Sequence, residues 1–187
     1  TSSHPVAGGC PLGAGVGPTV IEEVIGVAKA YTTRVGMGPF PTELNDETGD
    51  TIRNRGNEFG TTTGRPRRTG WFDAVIMRHA VRTGGLTCLA INKFDTLSDL
   101  GDLKVCVAYK KPDGGMIYEY PADIDELANC EPVYETVPGF SGDLSGCKSF
   151  EELPQACKDY IAYLEKQVGC PIKMVGVGPS RDQNLVR

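Results

Sequence analysis

Apolar residues recur with a helical period in three stretches of the chain. Over residues 18–30, Val20, Ile21, Val24, Ile25 and Ala28 fall on one face. Pro18 stands where a missing N–H does no harm, and Glu22 and Glu23 occupy the first turns, where the helix dipole favours acids. This pattern predicts a helix. Over 73–83, Val75, Ile76, His79 and Ala80 form a second face, and Gly84-Gly85 ends it. Over 153–168, Ala156, Tyr160, Ile161, Leu164 and Val168 form a third, with Pro154 near its start and Gly169 just past its end. Short apolar runs between turn residues predict strands at 86–91, 132–137 and 171–177. Residues 103–109 and 116–120 flank a turn containing Asp113-Gly114, which predicts a hairpin. Residues 138–150 read as a loop. Residues 36–70 carry Gly, Pro, Thr and charge with little periodicity, and are expected to be loop with one short strand. A loop of that length is unusual unless it has a function. No internal repeat is evident, and the mixture of strands and helices gives an α/β class with mixed α+β elements.

Composition narrows the picture. The chain has 187 residues, enough to bury a sizeable core. It carries 24 acidic against 19 basic residues, a net charge of −5, which argues against a general nucleic-acid binder. No apolar run approaches the ~18 residues a transmembrane helix needs. The opening, Thr1-Ser2-Ser3-His4-Pro5, has no Met, no basic segment and no apolar segment. No signal peptide is visible there, and the chain reads as starting inside a longer one. Seven cysteines without a Cys-x-x-Cys pair, several inside apolar runs, read as reduced thiols of an intracellular protein. With only two histidines, a His/Cys zinc cluster is not expected.

Two segments carry candidate chemistry. Asn92-Lys93-Phe94-Asp95 follows the apolar strand directly. An Asn-Lys-x-Asp at the carboxyl end of a strand is a way to read guanine. The Asp carboxylate accepts from guanine N1–H and the exocyclic amine together, while the Lys stem packs over the ring. Adenine offers no such pair of donors, so a buried acceptor there discriminates strongly. The plain alternative is a strand end with two solvated charges. No G-x-x-x-x-G-K-[ST] phosphate loop accompanies the motif. Gly13-Ala14-Gly15-Val16-Gly17 is not one, and reads as a flexible small-residue loop. The second segment runs from Gly60 to Gly70, where Thr61, Thr62, Thr63, Arg65, Arg67 and Arg68 sit between glycines. Hydroxyls, backbone N–H groups and guanidinium forks hold carboxylates and phosphates, so the segment suggests a site for a small anion. The alternative is a solvated basic loop.

The segments Lys29–Leu44 and Gly56–Trp71, together with Thr1-Ser2-Ser3, Ala7-Gly8-Gly9, Asn92-Lys93-Phe94-Asp95, Val105–Tyr109, Tyr134–Gly139 and Gly178-Pro179-Ser180-Arg181, resemble adenylosuccinate synthetase. The likeness runs in order over nearly the whole chain and is to the C-terminal part of that family. The family's Gly-rich phosphate loop, catalytic Asp and His, and magnesium ligands lie in an N-terminal part with no counterpart here.

The resemblance implies the C-terminal portion of a fold whose core is related to phosphate-loop NTPases. Residues 1–30 would be the remnant of a preceding region, and 31–187 the guanine- and aspartate-binding domain. The family condenses IMP with L-aspartate, converting GTP to GDP and phosphate through 6-phosphoryl-IMP, with Mg2+ bound. Its members are cytoplasmic homodimers. By this likeness Thr61, Thr62, Thr63, Gly64, Arg65, Pro66 and Arg67 form the aspartate loop. Thr1, Val35 and Arg65 would line the IMP pocket. Arg67, Lys93, Phe94, Asp95, Gly176, Val177 and Gly178 would hold GTP. Two positions depart from the family pattern. Gly176 replaces a frequent Ser and loses its hydroxyl, and Pro66 replaces a frequent Arg and loses a charge and an N–H. No catalytic residue is expected within the chain, and the chain alone is expected to be inactive. Two other readings stay open: a stand-alone guanine-nucleotide-binding module, and an interaction domain whose Arg loop takes an acidic peptide.

Overall fold

The structure, a computed structural model, describes residues 5–187. A short helix, α1 (Gly9–Ala14), precedes a 3-10 turn at Pro18–Val20. The chain then extends into β1 (Ile25–Lys29) and β2 (Thr32–Arg34). The helix expected over 18–30 is therefore not formed. Gly26 shows why: a Cβ there would stand 2.4 Å from the Leu86 side chain, so β1 lies pressed against the connection into the next strand of its sheet. The β-branched residues Val20, Ile21, Val24 and Ile25 suit an extended chain as well as a helix, and strand pairing decides between them.

The region 36–70 contains more order than expected. α2 (Glu47–Arg55) is capped by Asp46, whose carboxylate accepts from the Gly49 N–H at 2.9 Å. After it come β3 (Arg68–Gly70) and β4 (Phe72–Asp73). α3 (Ala74–Gly84) follows at once, close to the span expected. β5 (Cys88–Asn92), β6 (Leu103–Lys110) and β7 (Met116–Ile117) come next. β6 and β7 pair antiparallel through the expected Asp-Gly turn, although β7 is shorter than expected. α4 (Ile124–Ala128), β8 (Glu131–Val137), α5 (Gln155–Val168), β9 (Ile172–Gly176) and β10 (Asn184–Val186) complete the chain.

The strands form three sheets. The first has the order β1-β5-β9-β10, with β1, β5 and β9 parallel and β10 antiparallel to β9. β6 pairs with β8 along its length and with β4 and β7 on its other side. β2 and β3 form a small antiparallel pair. The main core lies between the first sheet and α5, where Leu89, Ile91 and Val175 meet Tyr160, Ile161 and Leu164. No described helix is long and apolar enough to cross a membrane.

Candidate functional site

Parallel strands bring their carboxyl ends to one edge of a sheet, and ligands of open α/β sheets bind beyond that edge. β5 ends at Asn92 and β9 at Gly176, with Ile91 opposite Val175. A cleft of about 550 Å³ opens there. Its walls include Lys93, Asp95, Gly176 and Gly178, four of the residues expected to hold guanine. Lys93 turns the chain out of the strand with φ of 59° and starts a 3-10 helix, Phe94–Leu97. Its ammonium donates to the Gly56 carbonyl at the end of α2, which lays the stem along one wall. Asp95 is half-buried and makes no ion pair among the described residues. Burial raises its carboxyl above the ordinary range, against the pull of nearby backbone N–H groups and Lys93.

Two expected members of this group face elsewhere. Phe94 is fully buried and stacks on Phe140, with ring centroids 4.7 Å apart and planes 2° from parallel. It anchors the turn in the core and cannot offer its ring to a ligand. Val177 is also fully buried, and its N–H is taken by the Gln183 carbonyl at 2.9 Å. Alternation along the strand sends Gly176 and Gly178 to the cleft and Val177 to the core. Arg55, Thr96 and Asn184 also line the cleft. The sequence motif gave no sign of these, because they arrive from α2, the 3-10 turn and β10.

The basic segment is a tight hairpin. Phe59 and Pro66 pair across its base, and the Gly60 N–H donates to the Arg65 carbonyl at 2.8 Å. Thr61, Thr62, Thr63, Gly64, Arg65 and Pro66 are all exposed. The three guanidiniums have different fates. Arg68 makes a two-pronged pair with Glu43, at 2.7 and 2.6 Å, and is a structural tie. Arg67 donates through one nitrogen to Glu58 at 2.8 Å. Arg65 is exposed and makes no ion pair among the described residues. Val35 follows β2 just beyond the Arg34–Arg68 pair and is 77% exposed. Thr1 lies outside the described residues.

Glu58 went unnoticed in the sequence. Its side chain is fully buried and accepts from Lys29 at 2.8 and 2.9 Å, Tyr31 at 2.6 Å and Arg67 at 2.8 Å. Burial pushes its carboxyl pKa up, but these three donors outweigh burial and hold it below the ordinary glutamate value. Among the described residues no cluster of His, Cys, Asp or Glu could hold a metal ion.

The sequence model of the family described as adenylosuccinate synthetase matches residues 1–185. The chain belongs to the adenylosuccinate synthetase family. Adenylosuccinate synthetase from Heliobacterium modesticaldum is 57% identical over 185 residues, covering 99% of this chain and 43% of that protein. The enzyme of the same name from Gloeobacter violaceus is 58% identical over 186 residues, 42% of its length. The chain thus spans less than half the length of these curated relatives. A structure of fully ligated adenylosuccinate synthetase from Plasmodium falciparum superposes with a TM-score of 0.94 at 40% identity, over all of this chain and 45% of that one. The mixed α/β fold is that of the matched part of adenylosuccinate synthetase.

Proposed function

We propose that this chain is the guanine- and aspartate-binding portion of an enzyme that makes adenylosuccinate in purine nucleotide synthesis. In the complete protein, GTP, IMP and L-aspartate give GDP, phosphate and adenylosuccinate. The IMP oxygen O6 attacks the γ-phosphorus as the bond to GDP breaks. The aspartate amine then forms the C6–N bond as phosphate leaves with O6. Such transfer depends on positioning and charge neutralisation more than on covalent help from the protein. Asp95 accepts from the guanine edge, Lys93 packs along the base, and the Gly176 and Gly178 backbone closes the other wall. Arg65 and the Thr61, Thr62 and Thr63 hydroxyls receive the aspartate carboxylates. Arg67 reaches toward GTP, while Val35 and Thr1 border IMP. Mg2+ and the groups that activate IMP belong to the N-terminal part of the family's chain, and the complete enzyme is a cytoplasmic homodimer.

The observation that carries this reading is Asp95, a half-buried carboxylate with no ion pair among the described residues, on the wall of a cleft between parallel strand ends. Such an acceptor is complementary to the paired donors of guanine and repels the acceptor nitrogen N1 of adenine. The test is a spectroscopic assay of adenylosuccinate formation by the full-length protein. Activity is expected with GTP and not with ATP. Arg65→Leu should raise the KM for aspartate by about tenfold or more, through loss of a forked, charge-assisted pair, and that for GTP by less than about twofold. Small, equal changes in the constants of all three substrates would contradict the aspartate role and favour a solvated loop.

A further inference from the structure

Glu58 is a carboxylate in the protein interior, and a buried charge persists only where partners compensate it. Its partners come from three places in the chain: Lys29 at the end of β1, Tyr31 in the connection to β2, and Arg67 in the returning arm of the hairpin. Lys29 is itself fixed by a further bond to Thr33 Oγ1 at 2.9 Å. The hairpin arms are also joined in the backbone, where the Arg67 N–H donates to the Glu58 carbonyl at 2.9 Å. Arg67 is thus tethered at its amide and its guanidinium to the same residue. One guanidinium nitrogen is spent on Glu58, and the Arg67 side chain is 30% exposed.

The same cluster touches the guanine cleft. The Tyr31 hydroxyl lies against Gly56 so closely that a Cβ there would stand 2.1 Å from it. The Gly56 carbonyl in turn holds the Lys93 ammonium on the cleft wall. A continuous set of contacts therefore runs from Lys93 through Gly56 and Tyr31 to Glu58 and Arg67.

We propose that Glu58 is a positioning residue that aims Arg67 at the nucleotide and ties the hairpin to the guanine cleft. The proposal rests on the reading of Arg67 as a GTP-side residue. Glu58 does not touch substrate in this scheme and acts through Arg67. A carboxylate suits the task because it accepts from all three donors at once. An amide of the same shape would turn its NH2 toward at least one of them.

A double-mutant cycle on the full-length enzyme tests this, with GTP KM, kcat and melting temperature measured for each variant. Arg67→Leu is expected to raise the GTP KM about tenfold. Glu58→Gln should raise it about fivefold in the native background and less than about twofold when Arg67 is already Leu. Tyr31→Phe keeps the ring and removes one bond to Glu58. It should give a two- to threefold rise, roughly, that also vanishes beside Arg67→Leu. If Glu58→Gln fails to fold, the Tyr31→Phe cycle decides by the same criterion. An equal factor in both backgrounds, with a lowered melting temperature, would overturn the positioning role and leave the GTP reading of Arg67 standing. An unchanged GTP KM in Arg67→Leu would overturn both.

Discussion

Glu58 stays ionised in the interior because Lys29, Tyr31 and Arg67 together offset the cost of burying its charge. A carboxyl group held below its unfolded value stabilises the fold above that value, and the contribution fades as pH falls toward the folded one. Glu58→Gln should therefore cost about 3 kcal/mol at pH 7, the scale of a broken buried pair. That cost should shrink below a pH of about 4.3, the ordinary glutamate value. Urea unfolding of both proteins at neutral and acid pH checks this, and a gap that stays constant or widens in acid would contradict it. At this scale the sequence was legible where residues that line the cleft are neighbours in the chain. Asn92-Lys93-Phe94-Asp95 announces itself in four residues at a strand end. Glu58 did not, because its partners stand 29, 27 and 9 positions away. Nor could spacing reveal that Arg68 is committed to Glu43 while Arg65 is not.

Among the elements, α3 is capped at its amino end by one side chain that also reaches β6. Asp73 is buried at its amino end and accepts from the Val75 and Ile76 N–H groups at 3.0 and 3.1 Å. The same carboxylate accepts from the Tyr109 hydroxyl of β6 at 2.6 Å, which ties the helix to the neighbouring strand. Asp73→Ala removes the cap and strands a buried hydroxyl, so a loss of about 2–4 kcal/mol is expected in urea unfolding. Tyr109→Phe should cost less, because the cap survives. A loss under about 0.5 kcal/mol for Asp73→Ala, the level of a surface change, would contradict the role. α3, β5, β6, β8, α5 and β9 were legible because their own apolar pattern matches their period. α2 was missed for the converse reason: Ile52 is its one buried apolar side chain. Its cap Asp46, early Glu47 and late Arg53 and Arg55 were the available signals. The segment 18–30 misled because its apolar spacing fits a helix, while β1 gains a full parallel ladder with β5, from Ile25–Cys88 to Lys29–Asn92.

At the scale of the whole molecule, a sheet whose strands β1, β5 and β9 run parallel places the cleft proposed for guanine at one edge, and α2 and the connection after it link that cleft to the arginine hairpin. Among the described residues β1 is an outer strand of its sheet, with Val27 72% and Ile25 47% exposed, an apolar edge of the kind that promotes association. Val27→Lys should therefore reduce aggregation of the 187-residue chain, measured by light scattering, and unchanged scattering would count against an edge contact. The chain alone should form no adenylosuccinate, because the proposed IMP-activating groups lie elsewhere in the family's chain. Product from the purified chain, free of host enzyme, would contradict that division of labour. Guanine selection by Asp95 is the feature on which the proposed function stands, and nucleotide choice by the full-length enzyme tests it most directly. Asp95→Asn exchanges one acceptor for a donor, which opposes the exocyclic amine of guanine and matches the 2-oxygen of xanthine. The ratio of kcat/KM for GTP to that for XTP should fall by about 100-fold or more, summed over one lost and one gained hydrogen bond. KM for IMP and aspartate should hardly move. A ratio unchanged by the substitution would show that Asp95 does not read the base.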